Sequence, residues 1–187
     1  PSFVLFLIIC FLVQTSHGAY YSFFTLFLEE QGFSSTVIGT SWGFSVTAEV
    51  ILMIQYQRLF KRMKPPAVLG LAAFAAAWRW WMTAHSESIV FILLAQGLHA
   101  FTFAAFHIAS QSYLARQGFR ERRASMFGLV SSVSYGLGGF VGMTASGFLY
   151  DQGGGTRMFG SAGLVALLAG VLALVLNFLP AEKSRAA

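Results

Sequence analysis

The chain has 187 residues, of which 56% are hydrophobic and only 10% charged, and its mean hydropathy is +0.66. That balance excludes an ordinary water-soluble domain and calls for lipid around the surface. The net charge of +5 does not argue for nucleic acid as a partner, because most bases sit in short gaps between apolar runs, where they act as topology signals. The single cysteine, Cys10, lies in an apolar run, which excludes a disulfide framework and gives no basis for redox chemistry.

Six spanning helices are predicted, at residues 3–29, 36–58, 67–84, 89–114, 124–149 and 158–179. The first apolar run begins at Phe3, behind a proline and with no initiating methionine, so a missing upstream part is expected. Gln31-Gly32 ends that run and Ser34-Ser35-Thr36 caps the next. Pro65-Pro66 opens the third helix, and Gly153-Gly154-Gly155 divides the fifth from the sixth. Membrane strands would be near 10 residues long and alternate in polarity, which these runs do not. The fold class is therefore all-α, an integral-membrane bundle in one domain over residues 1–187.

Ten of the twelve Lys and Arg residues fall at one end of the predicted spans. They are Arg58, Lys61, Arg62 and Lys64, then Arg116, Arg120, Arg122 and Arg123, then Lys183 and Arg185. Arg157 lies alone at the other end, and Arg79 is inside a span. Both termini are accordingly expected on the cytoplasmic side of the cell inner membrane.

Ionisable groups within a span cost at least a few kcal/mol and face a partner or a wet cavity. Five need such an explanation: His17, Glu49, Arg79, His99 and His107, distributed over the first four helices. The helical rise brings all of them into the middle band of the bilayer, the arrangement expected of a buried ion-pair and proton-relay site. Glu49 and Arg79 are on consecutive antiparallel helices at depths differing by about 5 Å, so they are expected to pair, as a structural lock or as a proton-titrating acid with its cation. Helical spacing puts Gln96, His99, Phe103, His107 and Ser110 on one stripe of the fourth helix, and Gln14, His17, Tyr21 and Thr25 on one stripe of the first. Ser41, Ser45 and Glu49 form a third stripe on the second helix.

The last two helices read differently. The fifth is rich in glycine, with a Gly138 to Gly142 pair suited to close packing, and the sixth has no polar side chain between Ser161 and Asn177 and is expected to face lipid; simple packing is the role expected of both. The histidines are dispersed rather than set at ligand spacing, so neither a metal nor a redox cofactor is expected. An intramembrane serine protease is a rival class, and Ser146-Gly147 comes close to its motif. Residue 144 is threonine, however, and no histidine follows His107 to serve as the base. A channel would need a filter or paired half-helix turns, which are missing.

Together these residues resemble the carboxyl-terminal half of a major facilitator superfamily transporter. The strings His17-Gly18-Ala19-Tyr20-Tyr21, Ala48-Glu49-Val50, Trp78-Arg79-Trp80 and Leu98-His99, with the later His107, are similar to the phenylpropionate permease group, which is related to lactose permease-like and nucleoside-proton symporters. The resemblance covers essentially the whole chain. It implies two three-helix repeats of opposite topology, a second six-helix half missing at the amino-terminal side, and no enzymatic activity. It also implies proton-coupled uptake of a small organic solute, an aromatic acid or a sugar-like or nucleoside-like molecule. Glu49, Arg79 and His99 occupy the helices on which lactose permease-like members carry an acid, an arginine and a histidine for solute binding and proton coupling. Those members have a second acid three residues after the histidine; here that position is Thr102, which leaves Glu49 as the candidate carboxylate within a span. Gln14, His17, Tyr21, Gln96, His99 and Phe103 are then expected near the solute. An isolated half, with its polar stripes facing lipid, is expected to self-associate or to act only as a structural or assembly domain.

Overall fold

The computed structural model describes residues 2–85, 87–117 and 122–179. Arg120, Lys183 and Arg185, three of the bases used for the expected orientation, lie outside the described residues. The helices are α1 (Ser2–Glu30), α2 (Ser35–Phe60), α3 (Pro65–His85), α4 (Ile89–Ala115) and a long element, Arg123–Phe178. That element is broken by non-helical backbone at Gly153 and Gly154, and its two arms, residues 123–152 and 155–178, are α5 and α6.

The punctuation has local causes. Gly32 closes α1 with φ +83°, a left-handed conformation favourable to glycine, while the Phe33 N–H donates to the Leu28 carbonyl. Ser34 caps α2 by accepting from the Val37 N–H at 3.5 Å. Gly154, at φ +63°, supplies the other left-handed position, between α5 and α6. α4 and α5 each contain a wide π turn, Ala100–Ala105 and Ser132–Gly138.

Close backbone contacts show how the arms run. Gly18 of α1 meets Gly142 of α5, and Gly138 lies against the Phe11 carbonyl, so α5 runs parallel to α1. Gly163 packs on Ala77 and Trp80 of α3, and Gly70 of α3 packs near Ala173, so α6 runs back along α3. Small residues permit both crossings: a Cβ at Gly142 would collide with the Thr15 carbonyl oxygen. The expectation that α6 simply faces lipid is corrected here. Its small residues Ala162, Gly163, Ala166, Ala169, Gly170 and Ala173 are buried, whereas Leu164, Leu168 and Phe178 point outward.

Among the described residues four elements are long and apolar enough to cross a membrane: Ser2–Glu30, Ser35–Phe60, Ile89–Ala115 and Arg123–Phe178. α3 is not among them; it carries Arg79 and three tryptophans. The outer surface is apolar, with Ile54, Val90, Phe91 and Phe140 exposed, and hydrocarbon rather than water suits such a surface. Ser2, Lys64, Arg116 and Asn177 line one cavity, so the start of α1, the α2–α3 connection, the end of α4 and the end of α6 gather at one end. Inside are two apolar cores. One, around Phe6, Leu69, Ala104 and Phe106, lies toward that end; the other, around Phe24, Trp80 and Phe159, lies toward the opposite end.

Candidate functional site

Between these two cores lies a polar centre built on Arg79. Its guanidinium is fully buried, and three acceptors from α4 surround it. Nη1 donates to His99 Nδ1 at 2.9 Å and to Thr102 Oγ1 at 3.2 Å, and Nη2 donates to Gln96 Oε1 at 3.0 Å. The same Gln96 oxygen accepts from the Tyr20 hydroxyl at 3.0 Å. Aromatic faces complete the enclosure, with the guanidinium carbon 4.1 Å from the Tyr20 ring centroid and 4.5 Å from that of Trp80.

Arg79 and Glu49 do not form the expected pair. Among the described residues no carboxylate lies within 4 Å of Arg79; Glu49 Oε2 is instead 3.4 Å from His99 Nε2. His99 therefore stands between the acid and the base. The physical reason is geometric: equal depth says nothing about where a side chain lies around its helix, and α4 is interposed between α2 and the Arg79 face of α3.

This chain of contacts determines the chemistry of the histidine. A guanidinium nitrogen can only donate, so His99 Nδ1 must accept. The ring proton is consequently on Nε2, beside the Glu49 carboxylate. A second proton on the ring would set a donor at Nδ1 against the donor of Arg79. In this arrangement Glu49 can gain and lose a proton, whereas His99 transmits the electrostatic link between acid and guanidinium. One guanidinium nitrogen, Nε, has no hydrogen-bond partner among the described residues.

The other expected site residues distribute unevenly. His17 is buried, donates from Nδ1 to the Val13 carbonyl at 2.8 Å and meets Trp80 edge-on at 5.0 Å between centroids; its Nε2 has no partner. Tyr21 is 42% exposed and touches the His17 ring, whereas its neighbour Tyr20, at 1%, bonds Gln96 and lies against the Arg79 guanidinium. Gln14 is buried, with its Cβ beside Gly138. Phe103 stacks on His99 at 5.6 Å and on His107 at 6.3 Å, and His107 shares a 3.0 Å hydrogen bond with the Tyr135 hydroxyl of α5. Tyr20, Trp80 and Thr102 were not in the expected site. The spacing from His17 to Tyr20 and Phe24 would have pointed to Tyr20.

Residues 1–161 match the family described as "MFS_1 like family". The chain belongs to this family. Two curated proteins extend the comparison to an MFS_1 like member. Identity is 34% with the "Probable 3-phenylpropionic acid transporter" of Escherichia coli (strain K12), over 83% of this chain and 41% of that protein. It is 25% with an uncharacterized transporter of Bacillus subtilis (strain 168), over 98% of this chain and 46% of the relative. The chain thus spans less than half the length of these curated relatives. As an MFS_1 like member with apolar, membrane-long helices it is a multi-pass membrane protein of a transport family, not an enzyme.

Proposed function

We propose that this chain forms one half of a proton-coupled transporter for a small aromatic carboxylate, with Glu49 carrying the proton and Arg79 receiving the carboxylate. The free Arg79 Nε donor carries this reading: a buried guanidinium with an unused N–H, no carboxylate in contact among the described residues and two aromatic faces beside it suits an aromatic acid. The relative named for 3-phenylpropionic acid supports that solute class. Six spans with cytoplasmic termini, in two three-helix units and in the cell inner membrane, are part of the same proposal and rest on the excess of bases at one end. The amino-terminal half of the parent supplies the other wall, which is consistent with a chain covering 41% and 46% of its relatives.

In this mechanism solute binding and proton binding are linked through His99. A carboxylate arriving at Arg79 brings negative charge toward the Glu49 carboxylate, and protonation of Glu49 relieves the repulsion. The loaded, neutralised centre can then move between the two faces of the membrane. The test is uptake of 3-phenylpropionate by the parent transporter in proteoliposomes. Glu49→Gln is expected to keep solute exchange and lose accumulation against a gradient, because the amide mimics the protonated acid but carries no proton. Accumulation retained by Glu49→Gln would discard Glu49 as the carrier.

A further inference from the structure

The end of α4 beyond the Arg79 centre holds a second polar feature. A cavity of about 230 Å³ lies between α1, α4 and α5, walled by Cys10, His107, Ser110, Ser131, Ser134 and Tyr135 among others. The π turn of α5 contributes Ser134 and Tyr135, and the π turn of α4 ends immediately before Phe106 and His107. No Asp, Glu, Lys or Arg is among the described residues of the wall; the titratable groups facing His107 there are Tyr135 from α5 and Cys10 from α1. The cavity is small for an aromatic acid, since ligand pockets run to about 300–1,000 Å³. Several waters fit it, each taking about 30 Å³ and each able to find hydroxyl partners.

Along α4, the Phe103 ring lies between His99 of the Arg79 centre and His107 of the cavity wall. Its ring is nearly parallel to both histidines, at 19° to His99 and 7° to His107. A phenyl ring has no proton to pass on, so it is a barrier where a polar side chain would be a wire. Beyond it, His107 and the Tyr135 hydroxyl form a pair in which either group can donate.

We propose that this cavity is the cytoplasmic proton port of the transporter, with Phe103 as its barrier and His107 with Tyr135 as its relay. The proposal rests on the reading of Glu49 as proton carrier and of this end as cytoplasmic. When the Phe103 ring swings aside, water connects Glu49 to the cavity. The carboxyl O–H bond breaks as that water takes the proton, and the water passes a proton to the free ring nitrogen of His107. His107 returns to neutral by giving a proton to cavity water, so one proton leaves Glu49 and one enters the cytoplasm.

Cys10, in the cavity wall, is a native reporter of its hydration. In membrane vesicles containing the wild-type parent transporter, a charged, water-soluble methanethiosulfonate should modify Cys10 in inside-out vesicles and not in right-side-out ones, as read by peptide mass spectrometry. Modification from the outside only, or from neither side, overturns the port. His107→Asn should lower solute-driven proton movement at least about tenfold more than it lowers solute exchange, the order of effect of removing a proton-transfer group; equal losses overturn the relay. Glu49→Gln measured in parallel separates the two readings. If it still accumulates solute, the proposed function falls; if it does not and Cys10 stays unmodified, the port alone falls.

Discussion

His99 and His107 sit on the same helix and on the same aromatic stack, yet their surroundings are opposed. His99 is held on one side by a buried guanidinium that can only donate and faces a carboxylate on the other, so its protons are placed by its neighbours. His107 is half-buried, bonded to a phenol that can donate or accept, and borders a cavity. A histidine in a membrane helix is thus not a proton carrier by type. A permanent donor makes it a rigid connector, and an amphoteric partner with water nearby makes it a relay.

The contrast predicts a graded response to substitution, read as stability in lipid or mild detergent. Arg79→Leu should have the largest effect, about 3–5 kcal/mol, because it strands the acceptors of Gln96, His99 and Thr102 and leaves the Glu49 charge without its remote cation. A loss below about 1 kcal/mol would mean that the centre is hydrated and not held as described. Gly142→Ala should follow, at about 1–3 kcal/mol, since its Cβ would collide with the backbone of α1. Gly136→Ala, in open space, should stay within about 0.5 kcal/mol, and equal effects at the two glycines would contradict the α1–α5 crossing.

Tyr20→Phe is expected to cost about 1–1.5 kcal/mol by removing one donor to Gln96 while keeping the ring under the guanidinium. Tyr21→Phe should cost far less, because that side chain is largely outside the centre. The smallest change should come from Tyr135→Phe, within about 0.5 kcal/mol, since water can replace its hydroxyl at the rim. A large loss there would erase the distinction between the two ends of the stack.

Much of the centre was legible because charged groups are rare in apolar helices. Glu49, Arg79 and His99 were visible by type alone, and their helices brought them together. What type and depth do not convey is azimuth. The supposed Glu49–Arg79 contact overlooked a histidine between them, and the stripe through Gln14, His17, Tyr21 and Thr25 passes beside Tyr20, the tyrosine that meets the guanidinium. The π turns have no residue signature of their own, so neither they nor the cavity they shape could be read from Ala100–Ala105 or Ser132–Gly138. A packing role for α6 was legible but not its partner, because alanines and glycines look inert by composition, although they are the residues that let it approach α3.

Nitrogen-15 NMR of ring-labelled His99, with the chain in lipid, checks whether Arg79 makes His99 a connector and leaves the proton to Glu49. One hydrogen-bearing nitrogen, Nε2, and one bare nitrogen, Nδ1, are expected. Two hydrogen-bearing nitrogens, or the proton on Nδ1, would contradict that role.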